Sequence, residues 1–155
     1  MKQAIAITLS LLFALSLWSP AAAAQADAVS PSQVATWAYR NLATGRCLDS
    51  NQAGEVYGLA CQNSGYQRWE IYERPGVDEF MLVNSETARC LDSNAAGAVY
   101  TLPCNFGANQ TWRVIFEGNV RMLQNVATGL MLDDNGTKIY THPRNNSYFQ
   151  KWAHI

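Results

Sequence analysis

The stretch Asn41-Leu-Ala-Thr-Gly-Arg-Cys-Leu-Asp-Ser-Asn51 decides how this chain folds, because it comes back twice. It returns as Asn84-Ser-Glu-Thr-Ala-Arg-Cys-Leu-Asp-Ser-Asn94 and again as Asn125-Val-Ala-Thr-Gly-Leu-Met-Leu-Asp-Asp-Asn135. Each copy continues to an aliphatic residue and a tyrosine (Val56-Tyr57, Val99-Tyr100, Ile139-Tyr140). Each then closes on Gln67-Arg68-Trp69, Gln110-Thr111-Trp112 or Gln150-Lys151-Trp152, with ten residues from tyrosine to glutamine every time. The period is 43 residues from Asp49 to Asp92 and 41 from Asp92 to Asp133, so the third copy is shortened between Asp133 and Tyr140. Such self-similarity marks a supersecondary unit that buries its apolar face only against its neighbours.

Within one copy the pattern predicts four short strands, near 37–41, 46–50, 55–59 and 67–73 in the first. Glycine, asparagine and serine punctuate the gaps between them. Trp69 and Ile71 fall on one face and Arg68 and Glu70 on the other, the period-two alternation of a half-buried strand. Propellers typically need four or more such units to close, and only three copies fit here. Three units close as a barrel capped by hairpins, so the expected fold is an all-β, pseudo-threefold β-trefoil, with repeats at about 37–77, 78–118 and 119–155. A two-layer sandwich is the alternative, although its layers supply no reason for a threefold repeat.

Outward from the repeats, the chain begins with Lys2, an apolar run from Ala4 to Trp18, and then Pro20 and the small residues Ala21 to Ala24. This is the pattern of a secretory signal peptide over residues 1–24, and its apolar run is short for a membrane span. Residues 25–36 are polar and are expected to form a disordered arm ahead of the domain at 37–155. Of eleven Lys and Arg only Lys2 lies in the leader, leaving ten basic against twelve acidic side chains with neither sign clustered. That balance offers no basic stripe to a nucleic acid and no patch to an anionic membrane, so neither is expected as a partner. The expected location is extracellular.

In an oxidising compartment the four cysteines are expected to form disulfides. Cys47 and Cys61 enclose the same span as Cys90 and Cys104, and both positions change together in the third copy, to Met131 and Arg144. This fits pairing within each copy, with cross-pairing between copies as the alternative.

Three Leu-Asp pairs in phase with three Gln-x-Trp closures resemble the ricin B-chain type lectin domains, a family of carbohydrate-binding modules, over the whole body of the chain. The resemblance implies that Trp69, Trp112 and Trp152 pack around the threefold axis and that each glutamine braces a loop. It also implies a shallow sugar pocket in one or more repeats, where an aspartate accepts hydrogen bonds from two hydroxyls and an aromatic ring stacks on the sugar face. Asp49, Asp92 and Asp133 hold the acid position. Asn109 holds the accompanying polar position before Gln110, where the other copies have Tyr66 and Phe149.

The family's stacking aromatic falls at Leu59, Leu102 and His142, a departure from its pattern in two copies. Tyr57, Tyr100 and Tyr140 lie two residues earlier on the same strand face and serve either as a repositioned platform or as structural residues. The candidate carbohydrate-binding set is therefore Asp49, Tyr57, Asp92, Tyr100, Asn109, Gln110, Asp133, Tyr140 and His142, with the acids taken as solvent-facing. The structural alternative makes the aspartates turn caps, and Asn51, Asn94 and Asn135 read as turn formers.

His142 and His154 lack partnering ligands, and Asp133-Asp134-Asn135-Gly136 lacks the remainder of a calcium loop, so no metal or cofactor is expected. No nucleophile elbow or triad stands out, and an enzyme is not expected. Carbohydrate of galactose or xylose type is the partner the resemblance implies. A protein partner, as for a protease inhibitor or a toxin docking subunit with vestigial sugar sites, is the alternative.

Overall fold

The structure is a computed structural model that describes residues 30–155. The leader at 1–24 and the first part of the expected arm lie outside the described residues. Thirteen strands pair antiparallel throughout: β1 Ser32–Trp37, β2 Tyr39–Asn41, β3 Cys47–Ser50, β4 Val56–Leu59, β5 Trp69–Glu73, β6 Phe80–Asn84, β7 Arg89–Ser93, β8 Val99–Pro103, β9 Trp112–Glu117, β10 Val120–Asn125, β11 Met131–Asp134, β12 Ile139–His142 and β13 Trp152–His154.

The path β1-β5-β6-β9-β10-β13-β2 returns to its start, because β1 and β2 are one strand broken only at Ala38, which exchanges hydrogen bonds with Ile155. It closes a six-stranded barrel. The hairpins β3–β4, β7–β8 and β11–β12 lie off that ring and form the cap, one from each repeat. The fold is the expected β-trefoil.

Its core repeats as the sequence does. Trp69, Trp112 and Trp152 are fully buried with Leu48, Leu91 and Leu132 from the hairpins and Leu82, Leu123 and Tyr39 from the barrel. Each indole N–H donates to the carbonyl of its own repeat's leucine, at 3.0, 2.9 and 3.2 Å. The buried ring therefore leaves no polar atom unpaired. Disulfides join Cys47 to Cys61 and Cys90 to Cys104, as pairing within each copy requires.

Two expectations are corrected. Residues 32–36, assigned to a disordered arm, belong to β1, which pairs with β5 from Ser32↔Glu73 to Trp37↔Trp69. The arm looked polar because its burial is one-sided, with Ala35 and Thr36 turned partly inward. The strand expected from residue 67 starts at Trp69, because a 3-10 turn, Gly65–Gln67, precedes it. Equivalent turns, Ala108–Gln110 and Tyr148–Gln150, precede β9 and β13.

Candidate carbohydrate-binding site

Every repeat builds the same platform. In each cap hairpin the aspartate lies directly across from the tyrosine, as Asp49↔Tyr57, Asp92↔Tyr100 and Asp133↔Tyr140. The phenol hydroxyl faces the carboxylate within hydrogen-bonding reach. Burial first, and the facing carboxylate second, push all three phenols above their ordinary range.

Beneath them sits the glutamine of Gln-x-Trp. Gln67 Nε2 donates to Asp49 Oδ2 at 2.9 Å, and Gln110 and Gln150 stand within reach of Asp92 and Asp133. The same amides brace the preceding loops: Oε1 accepts from the backbone N–H of Gln62, Asn105 or Asn145, and Nε2 donates to the carbonyl of Ala60, Pro103 or Pro143. Burial raises the carboxyl pKa of Asp92 and Asp133, and the glutamine and tyrosine donors pull it back.

The aspartates are 3, 3 and 2% exposed, which corrects the expectation of a solvent-facing acid. The phenol hydroxyl of the tyrosine across the hairpin and the glutamine amide both face the carboxylate in each repeat. Gln110 is also fully buried with both ends of its amide engaged, so it positions the site and does not face a ligand. The outer face consists of the tyrosine, the next outward residue (Leu59, Leu102 or His142) and the residue before the glutamine (Tyr66, Asn109 or Phe149).

Asn109 is exposed and donates to the Ser93 carbonyl at 2.6 Å. Asn51, Asn94 and Asn135 accept backbone N–H groups of their own turns and are turn formers, as expected.

The third repeat differs. Tyr140 and His142 place two rings side by side, centroids 6.0 Å apart and inclined at 69°. Leu59 and Leu102 leave the other repeats with one ring each on that strand face. Among the described residues Asp133 alone of the three acids has a buried carboxylate oxygen with no hydrogen-bond partner. A depression of about 270 Å³ opens beside Tyr140, lined by Ala96, Gly97, Ala98, Val99, Lys138 and Ile139.

Sequence reasoning missed two sets of residues. Asn41, Asn84 and Asn125 are fully buried and reach back to the preceding repeat in the ring, donating to the carbonyls of Phe149, Tyr66 and Asn109 at 2.7 Å each. They fix the loop that carries the outer polar or aromatic residue, and their signal was plain, since asparagine opens all three copies. Lys138 was the other omission. It precedes Ile139-Tyr140 where the earlier copies have Glu55 and Ala98, and its ammonium lies 5.2 Å from the centre of the Tyr140 ring.

Residues 35–152 match the ricin-type beta-trefoil lectin domain, and the chain belongs to that family. Carbohydrate is the class of ligand this membership defines.

Among solved structures, a designed threefold-symmetric protein, ThreeFoil, is similar at 22% identity and a TM-score of 0.71, covering 77% of this chain and 97% of its own. The exo-beta-1,3-galactanase 1,3Gal43A from Clostridium thermocellum matches at 20% identity and a TM-score of 0.70, with 77% of this chain laid on 30% of that one. The match therefore spans about a third of that enzyme. SeviL bound to asialo-GM1 saccharide matches at 14% identity and a TM-score of 0.66, over 77% of this chain and 95% of its own. At these identities the likeness shows the fold.

Proposed function

We propose that the protein is a secreted lectin without catalytic activity, recognising galactose- or xylose-type glycans chiefly through its third repeat. The observation that carries this reading is the pair of adjacent rings, Tyr140 and His142, over Asp133 and beside an open depression. A sugar offers axial C–H groups to such rings, while its hydroxyls need a polar edge, which the phenol hydroxyl and the backbone of the depression supply. A ligand hydroxyl reaches the Asp133 carboxylate once the phenol swings aside, and the unpartnered oxygen there gains a donor. Repetition of the platform suits weak, simultaneous engagement of a polymer. The apolar leader and the two disulfides support secretion.

The test is retention of the purified protein on immobilised lactose, galactan and xylan, with free sugar as competitor. Competed retention is expected, and Tyr140→Ala should weaken it about tenfold. Retention that free sugar does not displace overturns the lectin reading, while unchanged binding by Tyr140→Ala moves the site to another repeat.

One observation favours a second reading, a protein-binding trefoil whose sugar sites are vestigial. Val34, Trp37 and Phe116 are 51, 38 and 64% exposed around the far mouth of the barrel, an apolar rim that sugar binding does not use. A protein captured by wild type and lost on Phe116→Ser, with no glycan retained, would establish it.

A further inference from the structure

The three platforms share a floor but not a charge. At the position before the aliphatic–tyrosine pair stand Glu55, Ala98 and Lys138, all exposed, so the three platforms carry an acidic, a neutral and a basic rim. Glu55 is held beside its own platform by Asn51 Nδ2 at 2.7 Å, and its charge acts on Tyr57. Lys138 lies over the Tyr140 ring and, among the described residues, forms no ion pair.

The remaining charges around the third platform are accounted for. Asp134 is buried and held by Arg46, while Arg144 and Lys151 both face Glu117. Asp133 is buried and faces the Tyr140 phenol. The free charge bordering the rings is therefore the Lys138 ammonium. It also lines the depression, whose other walls are uncharged: Ala96, Gly97, Ala98, Val99, Ile139 and Tyr140.

Resting on the carbohydrate-binding reading above, we infer that the third-repeat site takes an anionic glycan. A neutral sugar residue lies against Tyr140 and His142, and the carboxylate or sulfate it carries, or that of the sugar linked to it, enters the depression to meet Lys138. An ammonium with rotatable donors and no competing carboxylate suits either anion. The first repeat, with Glu55 in the same place, repels such a ligand, which makes one platform of three selective for it.

The experiment compares lactose, 3′-sialyllactose and 3′-sulfolactose, and in parallel unsubstituted against glucuronic-acid-substituted xylan oligosaccharides, by calorimetry on the intact protein. The anionic member of at least one pair should bind about fivefold more tightly at low salt, the upper end of what an exposed ion pair supplies, and lose that margin at high ionic strength. The sialic, uronic and sulfate arms separate the sources of the anion. Lys138→Glu should abolish the margin, read as the ratio of anionic to neutral affinity within the variant, and Lys138→Arg should retain it, with both melting temperatures unchanged because the side chain is exposed. Equal or weaker binding of every anionic member overturns this inference and leaves the lectin reading standing. Absence of binding to every oligosaccharide, neutral ones included, overturns both.

Discussion

The cap hairpins meet one another at three junctions, two built alike and the third built differently. Where the first repeat meets the second, Ser50 Oγ lies 3.0 Å from Thr101 Oγ1, Thr101 N–H donates to the Gly54 carbonyl, and Glu55 bridges to Tyr100. Where the second meets the third, Ser93 and Thr141 hydroxyls lie 2.8 Å apart, Thr141 N–H donates to Gly97, and Ala98 bridges to Tyr140. Both glycines are at positive φ, and a Cβ there would come within 2.6 and 2.7 Å of the threonine carbonyls.

Where the third meets the first, serine is replaced by Asp134 and threonine by Gly58. Arg46 fills the space over Gly58 and bonds Asp134 through both Nε and Nη2, while Thr44 Oγ1 donates to the same carboxylate at 2.7 Å. A hydroxyl pair has been exchanged for an ion pair between part-exposed Arg46 and buried Asp134 at the closure between the first and last repeats. The lesson is that the first and third copies change as a coupled set where they meet, Gly58 and Arg46 on one side and Asp134 on the other, and the third repeat's different binding face sits on a differently locked hairpin.

The largest expected effect follows from that exchange. Asp134 is fully buried, so Arg46→Ala leaves a carboxylate held only by Thr44 and the Gly136 N–H. The cost should be about 3 kcal/mol, read as a lower urea midpoint with unchanged slope. A loss under 1 kcal/mol would mean that the third junction contributes no more than a surface pair.

Removing a hydroxyl from a like-built junction should cost less. Ser93→Ala strands the buried Thr141 hydroxyl but no charge, for about 1 kcal/mol in the same assay. An effect as large as that of Arg46→Ala would erase the distinction between the junctions.

Much of this was legible before any coordinates. The threefold period followed from spacing, the joint loss of both cysteines in the third copy favoured pairing within each copy, and the family resemblance implied the tryptophan core. The aspartate–tyrosine platform was only half legible. Asp49 and Tyr57 both stood out, but their cross-strand pairing depends on hairpin register, and that pairing is what sets the phenol against the acid. β1 was missed since only one side of it is covered, and the exposed positions dominate its sequence. The Arg46–Asp134 pair spans 88 residues and no local pattern announces it, although the joint change of serine to Asp134 and threonine to Gly58 was there to be read.

The smallest contrast lies in the floor acids. Burial raises the carboxyl pKa of both Asp92 and Asp133 against the pull of the glutamine and tyrosine donors, and at Asp133 alone two charged neighbours also act, His142 lowering it and, more weakly, Asp134 raising it. A carboxyl raised in the fold holds its proton to higher pH than in the unfolded chain. Its contribution to stability is complete below the ordinary aspartate value of 3.8 and is lost as pH rises through the raised value. The difference in unfolding free energy between wild type and Asp133→Asn should therefore favour the variant increasingly as pH rises from that value, then level off by neutrality. Taking the difference cancels the other carboxylates, which titrate alike in both proteins. A difference independent of pH would show that the phenol and glutamine donors fully offset the burial of this acid, and that the third platform's floor is no more stressed than an ordinary surface carboxylate.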